Sequence, residues 1–316
     1  MTTLANMIDE VSMNLSGYTM LQDRATHLTA NVGATASTIA APISLTLASA
    51  ENLGKGVVEI NEELLWVDTY DRVGNTATIP PYGRAYLGTT LAAHAAGDKV
   101  TISPTFPRFA IKRAINDTIS AIGASIFAGL STTLTSNAAT TAYRIPSGAS
   151  ATLNVRGILS VSYQTVGATG EWLPIRRYRL DQNANSTTFT SGQTLSIYDS
   201  IPSGRTIQVI YASDPVPFAT LGTLALTNAQ VFTTQTGLPE SCKDLIVLGA
   251  TYRLLSNLDP ARASMVSPQA DETDTKRPYG SSNSATKQVY ALFNQRLNEE
   301  VKSQQDKYPI RIHYSI

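Results

Sequence analysis

The periodicity of the sequence changes at Pro107, and this change constrains the fold more than any other feature. From Thr19 to Ile102 apolar and polar residues alternate between frequent turn residues, a pattern typical of short strands. Beyond Pro107, isoleucines recur at helical spacing, at Ile111, Ile115, Ile119 and Ile122. Proline suits the first turn of a helix, so a helix is expected to begin there with Thr105 as its cap. The chain therefore combines a β module with a helix that buries one face.

The region before Pro107 predicts one short helix followed by at least four strands. Helical spacing runs from Leu4 to Leu15, with Thr3 as cap and Gly17 as stop, and this helix is expected to dock on the central helix. Residues 91–96 are expected to form one helical turn. The predicted strands cover residues 43–47, 57–60, 64–70 and 99–102. Their spacing favours a small β-barrel or sandwich.

A second strand-rich block follows the central helix. Residues 129–141 are rich in Ser and Thr and are expected to connect the helix to this block. Turn residues then separate short β-branched runs, which suits an antiparallel sandwich of roughly 90 residues. The predicted strands cover residues 151–155, 158–166, 172–180, 187–189, 194–197, 206–212 and 230–232.

Helical periodicity returns at Gly237. The run from Leu238 to Leu255 is apolar around most of its circumference and predicts a buried helix, in which Gly249 and Ala250 permit close approach of a neighbour. Residues 261–283 are polar and predict a long exposed loop. A second helix is expected from Ser284 to Lys307, with Arg296 paired to Glu300 on its outer side. Its apolar positions are Val289, Phe293, Leu297 and Val301.

These elements predict an α+β fold, in which about four helices form a bundle that carries two antiparallel β modules and an extended C-terminal tail. The predicted domains are an N-terminal helix (1–18), a small β-barrel or sandwich (19–104), a central bundle helix (105–130), an inserted β-sandwich (131–236), bundle helices (237–308) with a loop at 260–283, and a C-terminal docking strand (309–316).

The composition excludes several classes of function. The chain has 316 residues with 24 basic and 24 acidic side chains, and only 15% of its residues are charged. Zero net charge argues against specific DNA readout, and a low charge content is typical of subunits of large assemblies. The single cysteine, Cys242, excludes an internal disulfide and a Cys-based metal site, and it is expected to be buried. No metal or cofactor is expected.

No membrane-spanning segment is expected, because no stretch approaches the roughly 18 uninterrupted apolar residues that a bilayer requires. No signal peptide is expected, because the N-terminus lacks a basic start and an apolar core. A basic and aromatic cluster comprises Arg156, Arg176, Arg177 and Arg179 with Trp172 and Tyr178. On one strand, alternation would place Arg177 and Arg179 on the opposite face from Arg176 and Tyr178. A solvated face or an ion pair between subunits is therefore favoured over nucleic-acid contact.

Residues 83–100 carry a resemblance to a known family. The run GRAYLGTT at 83–90, followed by AAHAAGDKV at 92–100, resembles a segment of tailed-bacteriophage virion proteins, especially the head-to-tail adaptors of the neck. The strands at 56–60 and 63–67 fit the same small module. One departure is Ala85, where glycine is expected. The resemblance extends from Gly54 to about Ile122.

The loop in this motif has two interpretations. Arg84, Tyr86 and His94 could serve catalysis, but no acid, second histidine or nucleophile accompanies His94 at a motif spacing. A structural role is favoured, in which Tyr86 and Leu87 fill the interior and His94 caps a turn. Gly83 and Gly88 supply backbone freedom. The predicted structural loop comprises Gly83, Arg84, Tyr86, Leu87, Gly88 and His94.

The resemblance implies a structural protein that forms a ring of about twelve subunits beneath the capsid portal, assembles in the bacterial cytoplasm and contacts downstream tail or neck proteins. Double-stranded DNA would pass through its channel without sequence-specific contact. The alternating C-terminal residues favour a strand that docks on the portal, formed by Ile310, Arg311, Ile312, His313, Tyr314 and Ile316. The alternative is another tail protein, such as a tail-completion, baseplate or receptor-binding subunit. An enzyme is not expected, because no paired acids or metal ligands accompany the three histidines.

Overall fold

The computed structural model describes residues 1–19, 23–137, 139–145, 155–166, 170–189, 191–219, 228–256 and 281–309. Within these ranges the protein has five α-helices and four antiparallel sheets, which confirms the predicted α+β class. The helices are α1 (Leu4–Thr19), α2 (Arg108–Ile122), α3 (Phe232–Thr236), α4 (Lys243–Ser256) and α5 (Ser281–Lys307).

The strands fall into two groups along the chain. The first group is β1 (Arg24–His27), β2 (Ile43–Thr46), β3 (Gly56–Ile60), β4 (Glu63–Val67), β5 (Thr69–Asp71), β6 (Thr76–Ile79) and β7 (Lys99–Ile102). The second group is β8 (Ala128–Thr135), β9 (Ala142–Arg144), β10 (Val155–Gln164), β11 (Trp172–Pro174), β12 (Tyr178–Asp181), β13 (Thr194–Ile197) and β14 (Thr206–Ser213).

The chain divides into two compact units, each made of three separate stretches. The first unit comprises Met1–Thr118, Phe218–Val231 and Lys243–Asn294. The second unit comprises Ile119–Pro217, Phe232–Cys242 and Gln295–Ile316. Each β module lies within one of these units.

In the first unit, two sheets share one hydrophobic core. Their strand orders are β1-β7-β3-β4 and β2-β6-β5, and all pairings are antiparallel. Alternation along the strands buries one face, as at Val58 and Ile60 on β3 and Leu45 on β2. The predicted run 64–70 splits after Val67, because the Asp68 N–H donates to the Thr78 carbonyl of the other sheet. Strands β1 and β6 were not predicted, because most of their residues are polar or small.

Helix α1 confirms the N-terminal prediction with two corrections. The Thr3 hydroxyl accepts a hydrogen bond from the Asn6 N–H at 3.4 Å, as expected of a cap. Gly17 does not stop the helix, which continues to Thr19. The helix packs mainly against α4 and not, as expected, against α2. Its contact with α2 includes the ion pair between Asp9 and Arg108. Its buried residues are Leu4, Met7, Ile8, Val11 and Leu15.

Helix α2 buries its four predicted isoleucines, but its N-terminus is capped differently from the prediction. The Thr105 hydroxyl donates to Asp23 at 3.1 Å and does not cap the helix. The Arg108 N–H instead donates to the Glu59 carboxylate at 2.6 Å, from strand β3. A side chain 49 residues away in sequence thus satisfies the helix terminus, and spacing rules for local caps do not detect it.

Helix α4 is buried along most of its length, as its apolar composition predicted. A Cβ atom added at Gly249 would lie 2.3 Å from Cγ2 of Thr118 and 3.0 Å from a ring carbon of Phe293, which confirms the predicted close approach. Helix α5 begins at Ser281, three residues before the predicted start. Residues 281–283 of the predicted loop are therefore helical, and its residues 260–280 lie outside the described ranges. A bundle of four helices stays a prediction.

In the second unit, two sheets with orders β11-β10-β14-β8 and β12-β13-β9 enclose a second core. The predicted connector 129–141 contains β8, whose Ser and Thr residues alternate with partly buried ones such as Leu130 and Leu134. The run 172–180 is not one strand, since β11 and β12 belong to different sheets. Residues 187–189 form no strand, since 187 and 188 lie in a turn, and Phe232 begins helix α3 rather than ending a strand. Residues 151–154 lie outside the described ranges.

Candidate functional site

The motif residues lie in a loop between β6 and β7 that is anchored from inside by three buried ionisable side chains. Arg84 and His94 belong to the loop, and Glu63 begins strand β4. Their exposed fractions are 5%, 3% and 0% respectively. We call residues 82–94 the anchored loop. The acid that partners His94 is therefore present, 31 residues earlier in sequence, where motif spacing did not reveal it.

Every N–H group of the Arg84 guanidinium donates a hydrogen bond that helps to hold the loop. Its Nε and Nη2 donate to the two oxygens of Glu63 at 2.7 and 2.9 Å, a bidentate ion pair. Nη2 also donates to the Ala92 carbonyl at 2.6 Å. Nη1 donates to the carbonyls of Gly33 and Thr35 at 3.0 and 3.4 Å. A guanidinium carries five N–H groups, so these five acceptors satisfy it completely.

Glu63 is the centre of the anchor. Besides Arg84, its carboxylate accepts the N–H groups of Ala85 and Ala92 at 3.0 and 2.9 Å. Burial by itself would raise the pKa of Glu63, but the hydrogen bonds from Arg84, His94 and these two amides lower the pKa to about 2. Glu63 is therefore ionised at neutral pH, and its charge is neutralised by Arg84.

His94 is held on both ring nitrogens. Its Nε2 lies 2.9 Å from the Glu63 carboxylate, which can only accept, so Nε2 carries a proton. Its Nδ1 lies 3.5 Å from the Asn61 amide nitrogen. The backbone of His94 pairs with Val32 through two 2.8 Å hydrogen bonds. The predicted helical turn at residues 91–96 is therefore wrong, and this segment pairs as a β-bridge instead.

The anchored loop also covers the free edge of strand β4. The Trp66 N–H donates to the Gly83 carbonyl at 2.7 Å, and the Leu64 N–H donates to the Thr89 hydroxyl at 3.1 Å. A Cβ atom at Gly83 would lie 2.8 Å from the Ile79 side chain, so close approach requires glycine here. The loop thus satisfies backbone groups that an exposed edge strand leaves open.

The backbone of the loop is strained at three residues that are not glycine. Tyr82, Ala85 and Leu87 have φ values of 64°, 51° and 55°, in the left-handed region. Each such residue costs roughly 1–2 kcal/mol relative to ordinary backbone. Ala85 occupies the position where the motif is expected to carry glycine, and its conformation is one that glycine adopts without strain.

The apolar side chains of the loop are not all inside. Leu87 is 70% exposed, so the expectation that it fills the interior is wrong. Tyr86 is half-buried and lies against Trp66, with ring centroids 5.5 Å apart. Tyr82, which the sequence did not single out, is 93% exposed. The loop therefore presents two large apolar side chains to the outside.

A second charged cluster ties strand β3 and its turn to helix α2. Lys112 and Glu62 form a buried ion pair at 3.2 Å. Burial raises the pKa of Glu59 to about 7, although the Arg108 N–H and guanidinium oppose this rise, and the charges of Asp23 and Glu62 add to it. Glu59 lines a cavity of about 700 Å³ together with Asp23, Lys99 and Arg108. This cluster fixes the start of α2 against the first β module.

The remaining candidate residues are partly paired within the chain. Arg177 forms an ion pair with Asp199 at 3.0 Å and Arg156 forms one with Asp214. Arg177 precedes β12, so the argument that placed it on a strand face with Arg179 is wrong. Cys242 is buried as predicted, and burial with the nearby Glu300 carboxylate raises the pKa of its thiol to about 12.

The predicted pair between Arg296 and Glu300 is present at 2.9 Å. It is not an outer pair, because Glu300 is only 7% exposed and also accepts the hydroxyl hydrogen bond of Ser241 at 3.1 Å. The six residues of the predicted C-terminal docking strand, from Ile310 to Ile316, lie outside the described ranges.

Within the described part of the chain, no helix is long and apolar enough to cross a membrane. The same residues include no group of three or more His, Cys, Asp or Glu side chains placed to hold a metal ion.

The comparison with known families covers most of the chain. The family model of the SU10 adaptor protein matches residues 85–313, more than two thirds of the sequence, and the match begins within the anchored loop. No curated protein matches the chain. The protein therefore belongs to the SU10 adaptor family and is a structural adaptor protein of a bacteriophage virion.

Proposed function

We propose that the protein forms a ring beneath the capsid portal and links the portal to the tail. The family match over residues 85–313 carries this proposal. A ring needs two different complementary faces on each subunit, and two β modules built from different sheets are available to form them. Assembly takes place in the host cytoplasm, and the finished ring contacts the next protein of the neck or tail.

In this proposal double-stranded DNA passes through the ring without being bound tightly. The chain has no net charge, and two arginines of its basic cluster, Arg156 and Arg177, are neutralised by aspartates. Phosphate binding needs unpaired cations, because its affinity comes from neutralising backbone charge. A lumen without an excess of positive charge lets DNA slide during packaging and ejection.

The proposal assigns no catalytic role to the anchored loop. Glu63, Arg84 and His94 are buried, and their polar atoms contact one another, backbone groups and the Asn61 amide. A general acid or base must reach a substrate proton, and these side chains have no free donor or acceptor directed outward. Their chemistry suits the fixing of a loop.

The mass of the native particle tests the ring proposal. Light scattering or native mass spectrometry, on the chain alone and with a portal ring, is expected to show about twelve copies in at least one of the two conditions. A stable trimer or hexamer that ignores the portal would contradict the proposal and favour the alternative role elsewhere in the tail.

The C-terminal residues 310–316 are proposed as the portal-docking segment. Truncation must keep Tyr308, whose ring lies 5.7 Å from that of Phe127 within the second unit. Gln304 also holds Phe127 through two hydrogen bonds, at 3.1 and 2.6 Å. Removal of residues 310–316 is therefore expected to leave the midpoint of thermal unfolding unchanged and to abolish binding to the portal.

The matched control is Tyr308→Ala in the full-length chain. It removes a packed ring and is expected to lower the unfolding midpoint while the docking segment stays in place. A truncated chain that binds the portal with wild-type affinity would show that docking uses another surface.

A further inference from the structure

Strand β8 is the last strand of its sheet, and every second residue of it directs its backbone away from its neighbour. Within the described part of the chain, β8 pairs only with β14, in one unbroken register. The Ser136 N–H donates to the Arg205 carbonyl at 2.8 Å, so the backbone of Ser136 faces β14. In an antiparallel pair such residues alternate with residues whose N–H and C=O groups point outward. The outward residues of β8 therefore include Gly129, Ser131 and Thr135.

The end of helix α5 lies at the start of this outer edge. Phe127, just before β8, directs its backbone outward by the same alternation. The Gln304 carboxamide accepts the Phe127 N–H at 3.1 Å and donates to the Phe127 carbonyl at 2.6 Å, as a neighbouring strand would. One helical turn later, the Tyr308 hydroxyl lies 2.8 Å from the position of a Cβ atom at Gly129. The chain therefore leaves α5 beside the outward backbone groups of β8.

The residues that follow α5 have the length and the pattern of a strand. Pro309 cannot continue the helix, and the residue before a proline favours extended backbone. Residues 310–316, if extended, would span about 23 Å, and β8 has eight residues. Isoleucine or tyrosine alternates with a polar residue along this segment. The isoleucine and tyrosine positions are Ile310, Ile312, Tyr314 and Ile316.

The two faces of β8 match this alternation. Leu130 and Leu134 pack on the second core but are only partly buried, whereas Ser131 and Thr135 on the opposite face are exposed. A strand added at the outer edge can place its isoleucines beside the two leucines and its polar side chains beside the exposed face. The edge therefore fits residues 310–316 in side-chain pattern as well as in position.

We infer that residues 310–316 pair with the outer edge of β8 in the same chain, as a fifth strand of this sheet. The pairing is parallel, because the segment begins beside the start of β8, and mixed sheets are common. A tether of one residue, Pro309, gives the segment an effective concentration on the order of millimolar at this edge, which favours its own chain over a second copy. The contact goes beyond the proposed function, and only its release when the segment binds the portal rests on that function.

Hydrogen exchange, measured for single amides by NMR on the chain without a portal, tests the pairing. Removal of residues 310–316 is expected to speed exchange of the Ser131 and Thr135 amides by about tenfold or more. The Leu130 and Leu134 amides face β14 and serve as the internal control, with no change expected. An outermost strand separates before the core unfolds, so the midpoint of thermal unfolding does not report this contact.

A matched pair of variants keeps the length of the chain. Ile312→Ser removes an apolar side chain from the face that packs beside the leucines, and it is expected to speed exchange of the Ser131 and Thr135 amides as truncation does. His313→Ser changes the next residue, on the polar face, and is expected to leave the exchange of both amides unchanged.

Other outcomes contradict the inference in distinct ways. Unchanged exchange of Ser131 and Thr135 after truncation would show that the segment does not cover this edge. Protection that increases with protein concentration would assign the edge to a second copy. Faster exchange of Leu130 and Leu134 as well would contradict a contact confined to the outer edge. If the two outward amides are protected in a chain that binds no portal ring, the contact is supported and the proposed docking role is overturned.

Discussion

At the scale of single residues, the contrast between a buried and an exposed arginine gives a direct prediction. Arg84→Gln removes the cation that neutralises Glu63 and leaves a buried carboxylate unpaired, so the free energy of unfolding should fall by about 3–5 kcal/mol. Arg177→Gln makes the same chemical change in a pair whose arginine side chain is 76% exposed. It should cost less than about 1 kcal/mol. Denaturant unfolding of both variants measures the difference.

An equal and small loss in the two variants would contradict the central role of the ion pair between Glu63 and Arg84 in holding the anchored loop.

The sequence pointed to Arg84 and His94 because both stand in a recognisable motif, but it did not point to Glu63. Glu63 follows another glutamate at a hairpin turn, where exposure is the usual expectation. Only the three-dimensional pairing of β4 with a loop 21 residues later brings the acid to its partners.

At the scale of elements, alanine substitutions at two helical glycines are expected to change the stability of the protein in opposite directions. Gly17 lies in α1 with open space around its Cβ position, so Gly17→Ala should stabilise the protein by about 0.5–1 kcal/mol through helix propensity. Gly249 lies in α4 against Thr118 and Phe293. Gly249→Ala should destabilise it by about 1–3 kcal/mol, because the new methyl group overpacks the contact. Thermal unfolding of both variants gives the signs, and stabilisation by Gly249→Ala would contradict the close packing.

Helices and strands whose apolar residues follow one clear period were predictable from the sequence. Features that depend on residues far away in sequence were not. Helix α2 follows from four isoleucines at helical spacing, and β2 and β13 follow from short alternating runs. The sequence of β8 predicts a connector instead of a strand, because Ser and Thr are common in loops as well as in strands. The cap of α2 was misassigned to Thr105, since the true acceptor, Glu59, comes from another element.

At the scale of the whole molecule, two buried glutamates set opposite slopes of stability against pH. The pKa of Glu63 is about 2 when folded, below its ordinary value of 4.5, so its contribution is complete above pH 4.5 and is lost towards pH 2. The pKa of Glu59 is about 7 when folded, above 4.5, so stability falls as pH rises from 4.5 to 7. Each difference corresponds to about 3 kcal/mol, and stability should be greatest near pH 4.5.

The variant Glu59→Gln separates these two effects. Its amide oxygen can still accept the Arg108 N–H, but the group no longer titrates. Denaturant unfolding at pH 5 and pH 8 should show the wild type losing about 3 kcal/mol more than the variant between these two values. The same decline in both proteins would show that Glu59 does not titrate in this range.

The division into two β modules and the α+β class were predictable from the whole sequence, because each module has its own run of strand signals between helices. The interleaving of the units was not. The unit boundaries fall inside α2 and α5, so each of these helices contributes residues to both units. Helical periodicity continues unbroken across such a boundary and therefore gives no local signal of it.

This interleaving has a consequence for synthesis on the ribosome. Neither unit is complete until its last stretch, which includes part of α5, has left the exit tunnel. The cores of the two β modules lie within continuous stretches, residues 28–102 and 130–211, and can close as soon as these are made, whereas the helical part of each unit waits for α5. A half-made chain can therefore carry folded β modules, but neither unit is complete before its share of α5 is made.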